Sequence, residues 1–204
     1  MDPGRQKSQG GTNVNVYPFC TTFVILVPTL DMRYQKFKPN PTLAPFIECY
    51  FIWEGETKER LEVQSPPNCF CAIVFNYGDP TLAYQHSADI LPVPEAFVCG
   101  LFTSNYCRVL QGKIGMAGIV FKPTAIHSFF GIRMSSLVNS RMPLDLLLGT
   151  EAEKLSTAVR KCSSDDSRVQ ILEAFVSGHL DEARKKVSLM DDVVEFIDDR
   201  KGCV

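Results

Sequence analysis

Aromatic side chains with polar neighbours recur along the first half of the sequence. Spaced along strands, such groups favour a pocket for a small organic molecule, because rings supply apolar contact while hydroxyl and amide groups fix orientation. The candidates for this ligand-binding role are Tyr50, Trp53, Asn76, Tyr77, Tyr84 and His86. The alternative for Tyr50 and Trp53 is that they fill the core, since large rings dominate protein cores. Asn76 is also a typical turn-forming residue.

The sequence shows no pattern typical of a catalytic centre. Its three histidines, His86, His127 and His179, are far apart in the sequence, whereas a metal-dependent cupin enzyme needs clustered histidines with a carboxylate. It has neither a Gly-x-Ser-x-Gly nucleophile motif nor a phosphate-binding glycine loop. We therefore expect no catalytic residue, no metal and no cofactor. A small cupin-type metal-dependent enzyme is the alternative, and stoichiometric metal in the purified protein would favour it.

Strands must position the ligand-binding candidates. Residues 37–53, FKPNPTLAPFIECYFIW, predict an extended proline-rich arm that leads into a buried strand of aromatic and β-branched residues. Residues 69–77, CFCAIVFNY, predict a second buried strand. Further predictions are a charged edge strand after residue 55, strands at 81–85 and 96–102, and a hairpin at 106–121 that turns at 111–113. This succession is typical of an antiparallel sandwich or small barrel.

Helical periodicity begins after residue 122. Short helices are predicted near 123–130 and 144–148, longer ones at 151–162 and 165–180, and a last one at 189–200. The side chains that we expect at a homodimer contact are Leu155, Val159, Leu172, Phe175 and Val176. The alternative is that these helices cover one side of the sheet, and the two roles are compatible.

Composition limits the classes of partner. The 204 residues are 45% hydrophobic and 22% charged, which is ordinary for a globular protein with one core and a smaller appendage. A net charge of −2 gives no broad field for binding nucleic acid. The eight cysteines are scattered through apolar runs, so we expect reduced thiols. No run is long enough to span a membrane and no signal peptide is evident, so we expect a cytoplasmic protein.

An ordered set of motifs resembles the N-terminal domain of AraC-type bacterial transcription regulators. The motifs are FxPxPxLAPFIECYxxWEG at 37–55, PPNCxxxIVFNYGDP at 66–80, AFVCGLFT at 96–103, GxxxxxGIVFKPTAIHSFFGI at 112–132, RMPLDLLLG at 141–149 and RVQILEAFV at 168–176. The resemblance covers about residues 32–204. It implies an α+β fold in which a cupin-like antiparallel β-sandwich or barrel precedes a C-terminal helical region.

The resemblance also implies a function and a division of the chain. We expect an effector-binding and dimerisation domain that binds an unknown small molecule and reaches DNA only through a helix-turn-helix domain absent from this chain. Residues 1–31 are expected to be a flexible extension, 32–122 the cupin-like domain, 123–187 the helical dimerisation region, and 188–204 the first helix of the truncated DNA-binding domain. A further alternative is a degenerate domain that binds no effector and only dimerises.

Overall fold

An antiparallel sheet followed by a helical region makes up the structure, a computed structural model that describes residues 14–18, 24–28, 32–68, 70–85, 89–187 and 189–200. The predicted α+β class, a sandwich-like sheet followed by helices, is confirmed. The strands are β1 Val14–Pro18, β2 Val24–Pro28, β3 Met32–Phe37, β4 Ile47–Ser65, β5 Cys71–Asn76, β6 Leu82–Gln85, β7 Leu91–Pro92, β8 Ala96–Cys99, β9 Tyr106–Phe121 and β10 Arg141–Pro143. The helices are α1 Ala125–Phe130, α2 Asp145–Leu148, α3 Thr150–Lys161, α4 Asp165–Gly178, α5 Leu180–Lys185 and α6 Leu189–Asp199.

Eight strands form the main sheet, in the order β10-β8-β5-β9-β4-β3, with β6 on β9 and β7 on β6. The two longest strands, β4 and β9, pair along almost their whole length and form its centre. The part of the chain predicted to be an extension contributes β1 and β2, which form a separate antiparallel pair.

The hairpin predicted at 106–121 is wrong, because these residues form the single strand β9. Both of its halves pair with the continuous strand β4, so the ladder extends through the expected turn. Gly112 has a φ of 77°, and the register opposite it shifts between Thr57 and Leu61. The glycine therefore marks a bulge, which bends a strand without reversing it. The Asp79 carboxylate accepts the Lys113 N–H at 2.7 Å beside this bulge.

Both faces of the central strands are buried, and alternate side chains of β4 enter different cores. Tyr50 and Ile52 belong to the core that the helices cover, whereas Phe51 and Trp53 belong to a second core. This alternation follows from the two-residue period of a strand and explains the unbroken apolar run in the sequence. Burial of each large side chain contributes roughly 1.5–3 kcal/mol.

The core beneath the helices joins the sheet to α1, α3, α4 and α5. The second core contains side chains of β3, β4, β5, β8 and β9 together with Phe102, and no described helix contributes to it. Because strand side chains alone bury this face, the sheet must curl over itself. We call this enclosed face the interior. Gly118 lies where strands approach closely, since a Cβ there would come within 2.4 Å of the Phe51 ring.

The predicted helices are present with small shifts of their ends, and α5, which follows α4, was not predicted. Helix α1 ends at Gly131, which has a φ of 70° and donates its N–H to the His127 carbonyl. Helix α4 begins after Ser164, whose side chain accepts the Ser167 N–H. The described helices include none long and apolar enough to cross a membrane.

Candidate functional site

Three polar side chains meet at one end of the otherwise apolar interior. Asn68 pairs with Phe102 in an isolated bridge, Arg108 lies on β9, and Arg141 begins β10. Curling of the sheet brings these distant residues together around the Phe102 and Tyr106 rings, whose centres are 4.4 Å apart. We call Arg108 and Arg141 the arginine pair.

Arg108 is deeply buried, with 7% of its surface exposed. One guanidinium nitrogen donates to the Met116 sulfur at 3.3 Å, which is a weak acceptor. Its Nε is buried without a hydrogen-bond partner in the described part of the chain. Buried arginine is normally paired with a carboxylate because desolvating a charge is costly. Arg108 therefore has hydrogen-bonding capacity that the described protein groups do not use.

Arg141 is half-buried and lies against two aromatic rings. Its guanidinium carbon is 4.7 Å from the Phe102 ring centre and 4.5 Å from that of Tyr106, which are cation–π distances. One terminal nitrogen is buried and has no hydrogen-bond partner among the described residues. Burial, and then the positive charge of Arg108, lower the pKa of Arg141.

Asn68 supplies both a donor and an acceptor. Its backbone exchanges hydrogen bonds with Phe102, at 2.9 Å through its N–H and 3.0 Å through its carbonyl. Its side-chain amide nitrogen and oxygen are both buried without a partner in the described ranges. Buried polar atoms are nearly always satisfied in folded proteins, so several unsatisfied ones at one place indicate a site for another molecule.

Positive charge dominates this end of the interior. Neither member of the arginine pair forms an ion pair with any described residue. Both guanidinium carbons lie near the same ring, with Arg108 at 5.9 Å from the Tyr106 centre, so the two charges are close to each other. These two ring distances limit the separation of the charges to about 10 Å, and at an effective dielectric constant of about 20 two such charges repel by about 2 kcal/mol. An anion placed between them would remove this cost.

A small cavity lies beside the arginine pair, and an open groove lies at the opposite face of β9. The cavity measures about 10 Å³ and is lined by Asn68, Phe70, Val74, Cys99, Phe102, Tyr106 and Arg108. That is room for about one water molecule or one small functional group. The groove measures about 460 Å³ and is lined by Gln64, Pro67, Tyr84, Ser104, Asn105, Tyr106 and Cys107. Tyr106 borders both spaces.

A second polar cluster fastens α4 to the sheet. Arg168, of which 7% is exposed, lies 4.2 Å from the Tyr77 ring centre and 3.3 Å from a Glu54 carboxylate oxygen. The Tyr77 hydroxyl donates to the same carboxylate at 2.8 Å. Arg33 on β3 pairs with both Glu54 and Asp165. We call these five residues the Glu54 cluster. Burial, and then the hydrogen bond to Glu54, raise the pKa of Tyr77.

The structure separates the residues predicted to bind a ligand. Tyr50 faces the helices with no exposed surface, whereas Trp53, at 1% exposed, faces the interior. Tyr77 belongs to the Glu54 cluster. Asn76 holds a turn, because its amide donates to the Asp79 carbonyl at 3.0 Å and accepts the Gly78 N–H at 3.2 Å.

Of the five candidates that the structure describes, Tyr84 alone lines the groove. Its hydroxyl donates to Glu62 at 2.9 Å, and hydrogen bonding to Cys107 and then to Glu62 raises its pKa. The sixth residue, His86, lies outside the described residues.

The five helix residues predicted at a dimer contact lie in the chain's own core. Leu155, Val159, Leu172, Phe175 and Val176 are each at most 8% exposed and pack between the helices and the sheet. In this chain they cover the sheet, as the alternative interpretation of these helices expects. Any contact between copies through the helical region must therefore use residues on its outer surface.

The described histidines and cysteines have structural surroundings. The Nδ1 atoms of His127 and His179 lie 2.9 and 3.0 Å from the carbonyls of Ile132 and Phe175. Within the described ranges, no three His, Cys, Asp or Glu side chains lie together in a way that could hold a metal ion. Free thiols are found at Cys71, Cys99, Cys107 and Cys162, while Cys20, Cys69 and Cys203 lie outside the described residues.

The arginine pair and Asn68 were missed in the sequence, although one signal was present. Arg108 interrupts the apolar run Tyr106–Leu110 at a position that shares a face with Tyr106 and Leu110. A charged residue on the buried face of a strand is a candidate functional residue. Arg141 and Asn68 lie outside any periodic pattern, and only the folded sheet brings them to Arg108.

The fold and this site define a small α+β domain with an enclosed cationic cluster. The chain belongs to the family described as Domain of unknown function (DUF6597), whose profile matches residues 35–143. Among curated proteins, none matches the chain in sequence. A solved structure described as the AraC-like transcriptional activator CuxR is similar, with a TM-score of 0.35 and 10% sequence identity. The similarity covers 82% of this chain and 78% of that chain.

Proposed function

We propose that this chain is the effector-binding and dimerisation domain of a cytoplasmic, AraC-like transcription regulator. It senses a small molecule and controls a helix-turn-helix domain that lies outside this chain. The ordered motifs between residues 37 and 176 support this assignment through their resemblance to such regulators. The proposed role is binding and regulation, not catalysis.

One observation carries the proposal. At one end of the interior, the side chains of Asn68, Arg108 and Arg141 have buried polar atoms without partners in the described part of the chain. A core with a purely structural role gains nothing from such atoms, because each costs about 1–3 kcal/mol. A binding site does gain from such atoms, because a ligand that forms the missing hydrogen bonds converts their cost into affinity and specificity.

The chain path supports a connection from this site to the helices. Arg141 begins β10, which pairs with β8, and the Leu144 N–H that follows donates to the Ala96 carbonyl at 2.9 Å. Helix α2 begins at the next residue and leads into α3. A ligand that shifts Arg141 therefore acts on the strand that leads into α2 and α3. A ligand favours one of two arrangements of the helices only if it contacts the protein differently in each, and a shift of Arg141 supplies such a difference.

Exposed apolar residues support the proposed contacts of the helical region. On α2, Leu146 is 72% exposed, which makes it a candidate for the contact between two copies. On α6, Val193, Phe196 and Ile197 are 43, 46 and 40% exposed. In the proposal, this stripe packs inside the DNA-binding domain of which α6 is the first helix.

Sedimentation equilibrium and a DNA mobility shift on the purified chain test the proposal. We expect a reversible dimer that Leu146→Asp weakens, and no sequence-specific DNA binding by the chain alone. Asp145→Asn, an exposed change on the same helix, is the control and should leave the dimer unchanged. A chain that stays monomeric at every concentration, or that binds one DNA sequence strongly by itself, would contradict the proposal.

A further inference from the structure

The end of the interior that contains the arginine pair has the chemistry of an anion site. Two guanidinium groups lie against one tyrosine ring, and the described residues place no carboxylate beside them. Arg108 is more than nine-tenths buried, and its unpartnered Nε belongs to a side chain that lines the small cavity. The Asn68 amide adds a neutral donor and acceptor at the same cavity.

We infer that the arginine pair and Asn68 bind the carboxylate group of a small organic acid, and that this acid is the effector. The inference rests on the proposed sensing function, because it names the chemical class of the molecule sensed. A guanidinium group presents parallel N–H donors that match the two oxygens of a carboxylate. The Asn68 amide then supplies a further donor to the same group.

The size of the cavity limits how the acid binds. At about 10 Å³, the cavity has room for one small functional group, so the body of any larger acid must lie elsewhere. We therefore place only the carboxylate group at the arginine pair, and the remainder of a larger acid outside the cavity. Arg141, the less buried arginine, is the one that moves aside to admit it.

Arginine side-chain NMR measures this binding at the residues concerned. The purified chain is titrated with sodium formate, acetate, benzoate or chloride at constant ionic strength, maintained with sodium HEPES. The Nε–H resonances of Arg108 and Arg141 should shift saturably with at least one carboxylate and less with chloride. The exposed Arg133 is the internal reference and should not shift. Chloride binding as tight as that of every carboxylate would overturn the inference in favour of a simple halide site.

Single substitutions distinguish carboxylate binding at the arginine pair from general effects of salt on the protein. Arg108→Gln and Arg141→Gln should each weaken carboxylate binding by at least about tenfold, whereas Arg133→Gln should leave it within about twofold. Arg108→Lys keeps the charge but not the paired donors. It replaces Arg108→Gln in the experiment if the glutamine variant does not fold. It should also bind more weakly. Equal affinity in all the folded variants, or no saturable shift with any acid, would contradict the inference.

A measurement of dimerisation distinguishes failure of this inference from failure of the proposed function. The same samples are examined by sedimentation equilibrium. Carboxylate binding in a chain that never dimerises supports the anion site and contradicts the regulator. A dimer that binds no carboxylate leaves the regulator proposal intact and overturns the inference about its effector.

Discussion

Replacing Arg108 by methionine should stabilise the protein. Methionine has a similar length and no charge, so it fills the same space on β9 without a desolvated guanidinium. An arginine that holds the fold together by pairing would give the opposite result, because its removal leaves a partner unsatisfied. Arg108 has no such partner among the described residues, and its Nε is unsatisfied. The sign of the stability change therefore separates a binding role from a structural one.

The magnitude follows from the contacts of Arg108. Losing an unpartnered buried donor removes a cost of about 1–3 kcal/mol. Losing the repulsion from Arg141 removes about 2 kcal/mol more at an effective dielectric constant of about 20. Against these gains, the variant loses the contact with the Tyr106 ring at 5.9 Å and the hydrogen bond to the Met116 sulfur. Together these losses cost about 1–2 kcal/mol, so we expect a net gain of about 1–4 kcal/mol.

Urea unfolding, monitored by circular dichroism and extrapolated linearly to water, gives the comparison. The buffer must contain no small carboxylate, because a bound anion would stabilise the parent protein and mask the effect. Arg160→Met, which replaces an exposed arginine paired with Glu95, is the control and should change stability by less than about 0.5 kcal/mol. A loss of more than about 1 kcal/mol in Arg108→Met would refute the reasoning.

Three further predictions concern the fold. Arg168→Met removes one of the partners of Glu54, which keeps Arg33 and Tyr77, and should lower the free energy of unfolding by about 1–2 kcal/mol in urea. Gly118→Ala places a Cβ within 2.4 Å of the Phe51 ring and should cost about 1–3 kcal/mol by the same assay. Burial raises the pKa of the Cys71 thiol from 9.0 to about 12, so the unfolded chain loses this proton at lower pH than the folded protein. Stability should therefore fall between those pH values, by at most about 1.4 kcal/mol per pH unit from this group, and Cys71→Ala should abolish that part.

Each of these predictions has a matched control. Glu151→Gln changes an exposed carboxylate on α3 and should be nearly neutral, in contrast to Arg168→Met. Gly178→Ala adds a Cβ with no atom within 4 Å, so a loss comparable to that of Gly118→Ala would contradict the packing argument. Cys162→Ala should keep the fall in stability at high pH. If Cys71→Ala keeps it unchanged as well, the assignment to Cys71 is wrong.

Local patterns in the sequence were sufficient to predict most elements of the fold. The run from Pro45 to Trp53 becomes part of a strand buried on both faces because its aromatic and β-branched residues suit both cores. The start of α4 after Ser164 and the end of α1 at Gly131 depend on neighbouring residues, so local sequence comes close to both ends. The hairpin prediction failed because Gly112 is equally suited to a turn and to a bulge. The unbroken ladder with β4 decides between them, and that ladder is a property of the sheet.

The candidate site was harder to predict, because its parts are remote from one another in the sequence. Asn68, Arg108 and Arg141 belong to three different segments that meet only when the sheet curls. Of the aromatic candidates, Tyr50 and Trp53 are members of the two cores, because their rings are large enough to fill them. Arg108 alone carried a local signal, as a charge on the buried face of a strand.

We expect acid bound in the interior to change how copies of the chain associate. The most direct test is the dimer dissociation constant, measured by sedimentation equilibrium with and without a saturating concentration of the tightest-binding carboxylate. Because coupling between sites is reciprocal, we predict a change of at least about fivefold in the parent protein and none in Arg108→Gln. A dissociation constant that is the same with and without the bound acid in the parent protein would contradict the account.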